Sequence, residues 1–290
     1  MTVQNGMMRS MARRFVAGEE LHEAIEAVSQ LNRRGMTATI DHLGENVNTH
    51  AEAAGAAEDY CRILRAIAEA GVDSNVSLKL THMGLDLGED VAYENTRRVA
   101  DAAGENFVRI DMESSEYVDR TLTVFRRLWE DRKNVGVVIQ SALYRSEADV
   151  EGLIDLGARV RLVKGAYLEP ASVAYQDKAD VDAAYIRLME ELLLRGNHPA
   201  MATHDPKMIE ATQRYALDRG IDRSRYEFQM LYGIRRDLQT QLTRQGFNMR
   251  VYVPYGTEWY PYLMRRMAER PANLMFVVSN IAREGIPGRR

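Results

Sequence analysis

At 290 residues, with 46% hydrophobic and 28% charged side chains and 7 prolines, the chain can bury a sizeable core, which excludes a disordered tail, a collagen-like fibre and a low-complexity segment. Lys and Arg total 38 against 42 Asp and Glu, a net charge of -4, which argues against a nucleic-acid partner, since phosphates call for a basic face. Cys61 is the only cysteine, so no internal disulfide, cysteine-held cluster or Cys-type zinc site can form, in keeping with a reducing cytoplasm.

No stretch approaches the roughly 20 apolar residues of a membrane span, because the longest candidate, 274–282, is interrupted by Ser279 and Asn280. The N-terminal run Met7, Met8, Arg9, Met11, Arg13, Arg14 and Phe15 reads as an amphipathic helix lying on the domain, ahead of the alternative of a membrane-surface contact. A helix over 19–34 completes an N-terminal flank, 1–36. From there β-rich runs follow one another: TATIDHLG from Thr37, NVSLKLTHMG from Asn75, FVRIDME from Phe107, VGVVIQSAL from Val135, RVRLVKGAY from Arg159, PAMATHD from Pro199, YEFQMLYG from Tyr226 and MRVYVPYG from Met249. Between them the apolar spacing turns helical, as in Tyr60, Ile63, Leu64 and Ile67, or Leu188, Leu192 and Leu193. Gly35, Gly71, Gly104, Gly157, Gly196, Gly220 and Gly246 each stand between a helical pattern and a strand, where a left-handed cap is wanted; Asn134 serves before the fourth strand. Strand starts about 30 residues apart, the length of a βα unit, predict an α/β fold: one (β/α)8 TIM-type barrel over 37–290, in preference to a doubly wound open sheet. A further helix, 259–270, follows the eighth strand and lies over the barrel mouth.

Chemistry in such a barrel gathers at the C-terminal strand ends. Those ends carry Asp41 and His42, Lys79 and Thr81, Asp111 and Glu113, Gln140, Arg161 and Lys164, Thr203 and His204, Gln229 and Tyr232, then Tyr252 and Tyr255. A charge at an inward strand position needs a partner or a ligand, so Lys79 and Arg161 call for anions; the plain structural alternative is two ion pairs, Lys79 with Asp111 and Arg161 with Glu113. No metal is expected, because the first strand lacks a His-x-His pattern and the remaining ligand types are scattered. A Schiff-base aldolase using Lys79 or Lys164 is a rival on chemistry alone. The run 163–167 offers Lys164 and Gly165 for an anion, and with Arg161 they form a corner suited to a pyrophosphate. Pro261 suits a first helical turn, placing Tyr262, Arg265 and Arg266 on one helix that can meet a carboxylate in bidentate fashion, with Glu269 one turn beyond Arg265.

The runs Arg161 to Tyr167, Ala202-Thr203-His204 and Tyr262-Leu263-Met264-Arg265-Arg266 with Glu269-Arg270 resemble those of the proline dehydrogenase family, FAD-dependent enzymes that oxidise proline to pyrroline-5-carboxylate. The likeness runs from about Arg14 to Arg283, and the residue after Tyr167 is Leu168 where some members carry an aromatic. The resemblance implies that Lys79, Arg265 and Arg266 hold the carboxylate of L-proline, that Asp111, Tyr167, Leu231, Tyr252 and Tyr262 shape its pocket, and that Glu269 supports Arg265. It also implies that Met112, Gln140, Arg161, Lys164, Gly165, Tyr167, Thr203 and His204 surround FAD, with Asp111 and Arg161 serving the hydride transfer from C5 to the flavin N5. Electrons then pass to a membrane quinone, the product to a separate pyrroline-5-carboxylate dehydrogenase, and the expected place is the cytoplasm, peripheral to the inner face of the membrane. A non-catalytic proline sensor is the alternative of another class.

Overall fold

Alternation at a period of two in the short runs, and of 3.6 between them, is realised in the computed structural model, which describes residues 14–260 together with Tyr262 and Met264. Eight parallel strands, β1 (Thr37–His42), β2 (Ser74–Leu78), β3 (Val108–Ile110), β4 (Val135–Gln140), β5 (Arg159–Val163), β6 (Ala200–Ala202), β7 (Glu227–Leu231) and β8 (Met249–Tyr255), close in sequence order, with Asp41 of β1 opposite Pro254 of β8. The helices are α1 (Leu21–Asn32), ahead of β1, then α2 (His50–Ala70), α3 (Glu89–Ala103), α4 (Val118–Asp131), α5 (Ser146–Asp155), α6 (Lys178–Arg195), α7 (Pro206–Asp218) and α8 (Arg236–Arg244). Ala24, Ala27, Val28 and Leu31 of α1 are buried in the same core as the strands, so this part of the flank packs as an integral layer.

Local signals fix these elements. Thr49 caps α2, accepting from the Glu52 amide at 3.2 Å while Glu52 accepts from the Thr49 amide at 3.1 Å. Six of the seven expected glycines take positive φ, as at Gly71 (φ 60). Gly196 does not: its φ is -75, and the left-handed residue is His198 two positions on. A glycine is needed at 196 for clearance, because a Cβ there would stand 2.5 Å from the Leu192 carbonyl oxygen. Asn134 is likewise no left-handed cap; its amide donates to the carbonyls of Ala100, Gly104 and Asn106 at 2.9, 3.0 and 3.2 Å, tying the end of α3 to the start of β4.

Outward strand residues such as Ile40, Val76, Leu78, Val108, Ile110 and Leu162 are fully buried under the helices. The alternate residues face the barrel interior and are unusually polar. Thr39 donates to Asn75 at 2.5 Å, Arg250 holds Glu227 at 3.0 Å, and Arg109 donates to the Arg159 carbonyl at 2.6 Å. Such an interior is stable only because its groups are paired, which makes the network directional as well as filled.

Candidate active site

The C-terminal strand ends open on a cavity of about 290 Å³, near the lower end of the range for small-molecule sites, roughly 300 to 1,000 Å³. Its wall brings together Lys79, Asp111, Met112, Gln140, Arg161, Lys164, Gly165, Tyr167, Thr203, His204, Leu231, Tyr252 and Tyr262, residues that lie as far as 183 positions apart in the chain. Arg265, Arg266 and Glu269 lie outside the described residues, as does most of the segment expected over 259–270. His42, Thr81, Glu113, Tyr232 and Tyr255 of the polar strand ends are not in the wall.

The ion pairs differ from the structural alternative of Lys79 with Asp111 and Arg161 with Glu113. Arg161 Nη1 donates to Asp111 Oδ1 at 2.7 Å, and Lys79 Nζ lies 3.5 Å from Asp41 Oδ2. Glu113 instead accepts from the Thr81 hydroxyl at 2.7 Å and the Thr81 amide at 3.2 Å. The reason is the barrel register. Ile110 pairs with Val137, so Asp111 stands level with Val138, and Val138 pairs with Arg161; Asp111 and Arg161 meet across the interior in one layer. Asp111 is saturated: Ser77 Oγ donates to Oδ1 at 2.5 Å and Tyr252 OH to Oδ2 at 2.7 Å. The guanidinium of Arg161 also lies over the Tyr252 ring, 5.3 Å from its centre. Arg161, a residue of the cavity wall, nonetheless keeps two buried donors, Nε and Nη2, with no hydrogen-bond partner among the described residues.

Asp41, left without a role by the sequence reading, is 1% exposed and receives the Tyr60 hydroxyl of α2 at 3.2 Å. Burial alone would depress the Lys79 ammonium, but the carboxylates of Asp41, then Asp111 and Glu113, outweigh it and hold its pKa above the ordinary lysine value. That disfavours the aldolase, whose lysine must be deprotonated. Behind Asp41, His42 stacks on Tyr255 at 5.0 Å and lies 5.9 Å from His82; burial, with His42 and Lys79 beside it, drops His82 to about 3. Burial, then the Asp111 and Asp41 charges, push the Tyr252 phenol far up, so it stays a donor.

On the opposite wall Lys164 is not an open anion-binding cation. Its ammonium is held by Asp182 at 2.5 Å and Asp205 at 2.7 Å, which removes it from the expected corner with Arg161 and Gly165. Gln140 donates to the Glu113 carbonyl at 2.9 Å, and Gly165 (φ 116) presses close to the Gln140 and Ala142 side chains. His204 Nε2 accepts the Leu231 amide at 2.9 Å, which leaves Nδ1 as the protonated nitrogen of a neutral ring. Thr203 and Met112 are buried in the wall beside them.

The family model for proline dehydrogenase matches residues 24–279. The chain belongs to the proline dehydrogenase family. It is 45% identical over 275 residues to Proline dehydrogenase 1 of Bacillus subtilis subsp. natto, covering 94% of this chain and 91% of that one. To Proline dehydrogenase of Deinococcus radiodurans it is 46% identical over 281 residues, with the same 94% and 91% coverage. Among solved structures it is similar to proline utilization A (PutA) from Bdellovibrio bacteriovorus inactivated by N-propargylglycine, with a TM-score of 0.84 and 28% identity over 89% of this chain. The chain spans 32% of the length of that protein.

Proposed function

We propose that this chain oxidises L-proline to 1-pyrroline-5-carboxylate, the first step of proline degradation to glutamate, with FAD as its cofactor and a quinone as final electron acceptor. The observation that carries the reading is the cavity itself: Lys79, an ammonium held charged by Asp41, Asp111 and Glu113, lines the same space as Arg161, whose Nε and Nη2 are buried and unbonded among the described residues. Buried donors of this kind mark a place for acceptor atoms, and a flavin ring edge rich in N and O atoms fits them. FAD, when bound, supplies the two-electron acceptor for the hydride leaving C5 of proline.

The remaining work falls to the chain. Lys79, with Arg265 and Arg266, binds the substrate carboxylate; Asp111, Tyr167, Leu231, Tyr252 and Tyr262 shape the pocket around the ring. Asp111, saturated by Ser77, Arg161 and Tyr252, acts by orienting the latter two. Met112, Gln140, Arg161, Lys164, Gly165, Tyr167, Thr203 and His204 surround the cofactor, with Lys164 bracing the wall through Asp182 and Asp205. We assign residues 37–290 to the catalytic barrel and 1–36 to its flank. Among the described residues no helix is long and apolar enough to cross a membrane; quinone reduction would then require a peripheral encounter with the inner face, and the product would pass to a separate pyrroline-5-carboxylate dehydrogenase.

The test is a visible spectrum of the purified protein followed by turnover with an artificial electron acceptor. Flavin bands that bleach anaerobically on adding L-proline, with sustained turnover, are expected. A folded, colourless protein that gains no flavin on incubation with FAD would reject the reading, and proline binding without turnover would point to a sensor.

A further inference from the structure

We propose that residues 14–20 form a strap that positions the Tyr262 wall of the cavity, with Val16 and Glu19 as positioning residues. The strap is tied to the C-terminal end of β8 by backbone bonds: the Ala17 amide donates to the Pro254 carbonyl at 2.8 Å, and the Gly256 amide to the Gly18 carbonyl at 3.0 Å. Just after β7, Gly233 (φ 76) is a glycine because a Cβ there would overlap the Arg14 carbonyl oxygen. The far end is moored to α1, where Glu23 Oε2 accepts the Glu19 and Glu20 amides at 2.8 and 3.0 Å. From this fixed track two side chains reach the segment after β8. Val16, 3% exposed, packs in one apolar cluster with Leu43, Trp259 and Tyr262, and the Trp259 indole donates to Glu19 Oε1 at 3.2 Å.

Tyr262 in turn stands in the cavity wall with Lys79, Leu231 and Tyr252, while none of the residues 14–20 lines it. The strap therefore acts on the cavity only through what it holds. Trp259 and Tyr262 are three positions apart in helical backbone, neighbours on one helix face, so a hydrogen bond to the first fixes the rotation that aims the second. The role in substrate binding rests on the proline reading; the mechanical part does not.

The experiment combines steady-state kinetics with amide hydrogen exchange on the full chain. In Glu19→Ala, Trp259→Phe and the double variant, exchange across 257–264 should speed up. Trp259→Phe, which loses one hydrogen bond of ordinary strength, should raise KM for proline about three- to tenfold, with kcat within about twofold and flavin content unchanged. The double variant should be no worse than the stronger single one, and Glu19→Gln, which keeps an acceptor oxygen, should stay near wild type. Val16→Ala probes the apolar half independently. Unchanged exchange in these variants overturns the strap. Faster exchange with unchanged KM overturns the positioning role. If wild-type protein does not oxidise proline, the functional reading fails while the exchange result still decides the strap.

Discussion

Asp41→Asn isolates the partner that keeps Lys79 charged. Lys79 Nζ and Asp41 Oδ2 are 3.5 Å apart with 12% and 1% exposure, and at an effective dielectric of about 20 their Coulombic attraction, before the opposing desolvation, is roughly 5 kcal/mol. In the native protein the folded Lys79 pKa lies above the unfolded one, so its contribution is complete below the ordinary lysine value and is lost only as pH rises through the higher folded value. Lys79 therefore does not titrate in the neutral range, and the alkaline limb should belong to another group. Burial is already the largest single influence on Lys79, and without the Asp41 charge only Asp111, Glu113 and Glu45 oppose it. At about 1.4 kcal/mol per pH unit, Lys79 should then release its proton lower by one to about three pH units. The assay is kcat/KM for L-proline against pH with an artificial acceptor, together with the affinity of five-membered-ring carboxylate inhibitors. Affinity for those inhibitors should begin to weaken at a lower pH than in the native protein, and flavin should stay bound. Inhibitor affinity that holds to the same alkaline pH as in the native protein would show that Asp41 does not control the charge on Lys79.

Tyr252→Phe removes the 2.7 Å hydrogen bond to Asp111 Oδ2 and should lower kcat/KM by about five- to twentyfold while the melting temperature barely moves; activity within twofold of wild type would contradict the orienting role. Arg161→Leu should reduce the flavin retained through gel filtration, read from the ratio of visible to ultraviolet absorbance, whereas Lys164→Met should chiefly lower the melting temperature, since its ammonium is engaged by Asp182 and Asp205. Although burial opposes it, the Lys164 hydrogen bond and the Lys207 amide bring Asp205 down to about 2, below its unfolded value; the stability this confers is present above about pH 4 and lost as pH falls toward 2. Melting temperatures across that window should converge for wild type and Lys164→Met, and a gap that stays constant to pH 2 would refute the linkage.

Every barrel strand was legible because the signals are local: a short apolar run, a helical spacing and, ahead of all but the fourth, a glycine between them. Gly196 shows the limit, since a glycine required for clearance beneath Leu192 O has the same letter as one required for positive φ. Site residues were legible as positions but not as partners. Lys79 and Arg161 stand out in apolar strands, yet the carboxylate each one meets depends on how the strands are staggered around the barrel, and the same stagger carries Asp111 past β4 to Arg161. Lys164 beside Gly165 has the look of an anion site only while Asp182 and Asp205, 18 and 41 residues further on, are out of view. Tyr60, which steadies Asp41 from the second helix, carries no sequence signal beyond its place in an apolar stripe.

These pairings change what the described wall can do on its own. Lys79 is matched by Asp41, Arg161 by Asp111, and Lys164 together with Lys178 by Asp182 and Asp205, so the formal charges of these groups cancel. A balanced wall orients polar atoms well but exerts little net pull on a free anion. A carboxylate substrate then needs further positive charge close by, and Arg265 and Arg266 are the residues the resemblance assigns to that task. This divides the labour between two parts of the sequence. The barrel supplies fixed donors and a charged lysine whose state does not vary with neutral pH, and in the proposed function the segment after β8 would supply the excess charge that distinguishes an amino acid from a neutral ring. Tyr262 belongs to that same segment and packs with Val16, so under the proposed function substrate discrimination would depend on residues from both ends of the chain, although the strands between them form the cavity.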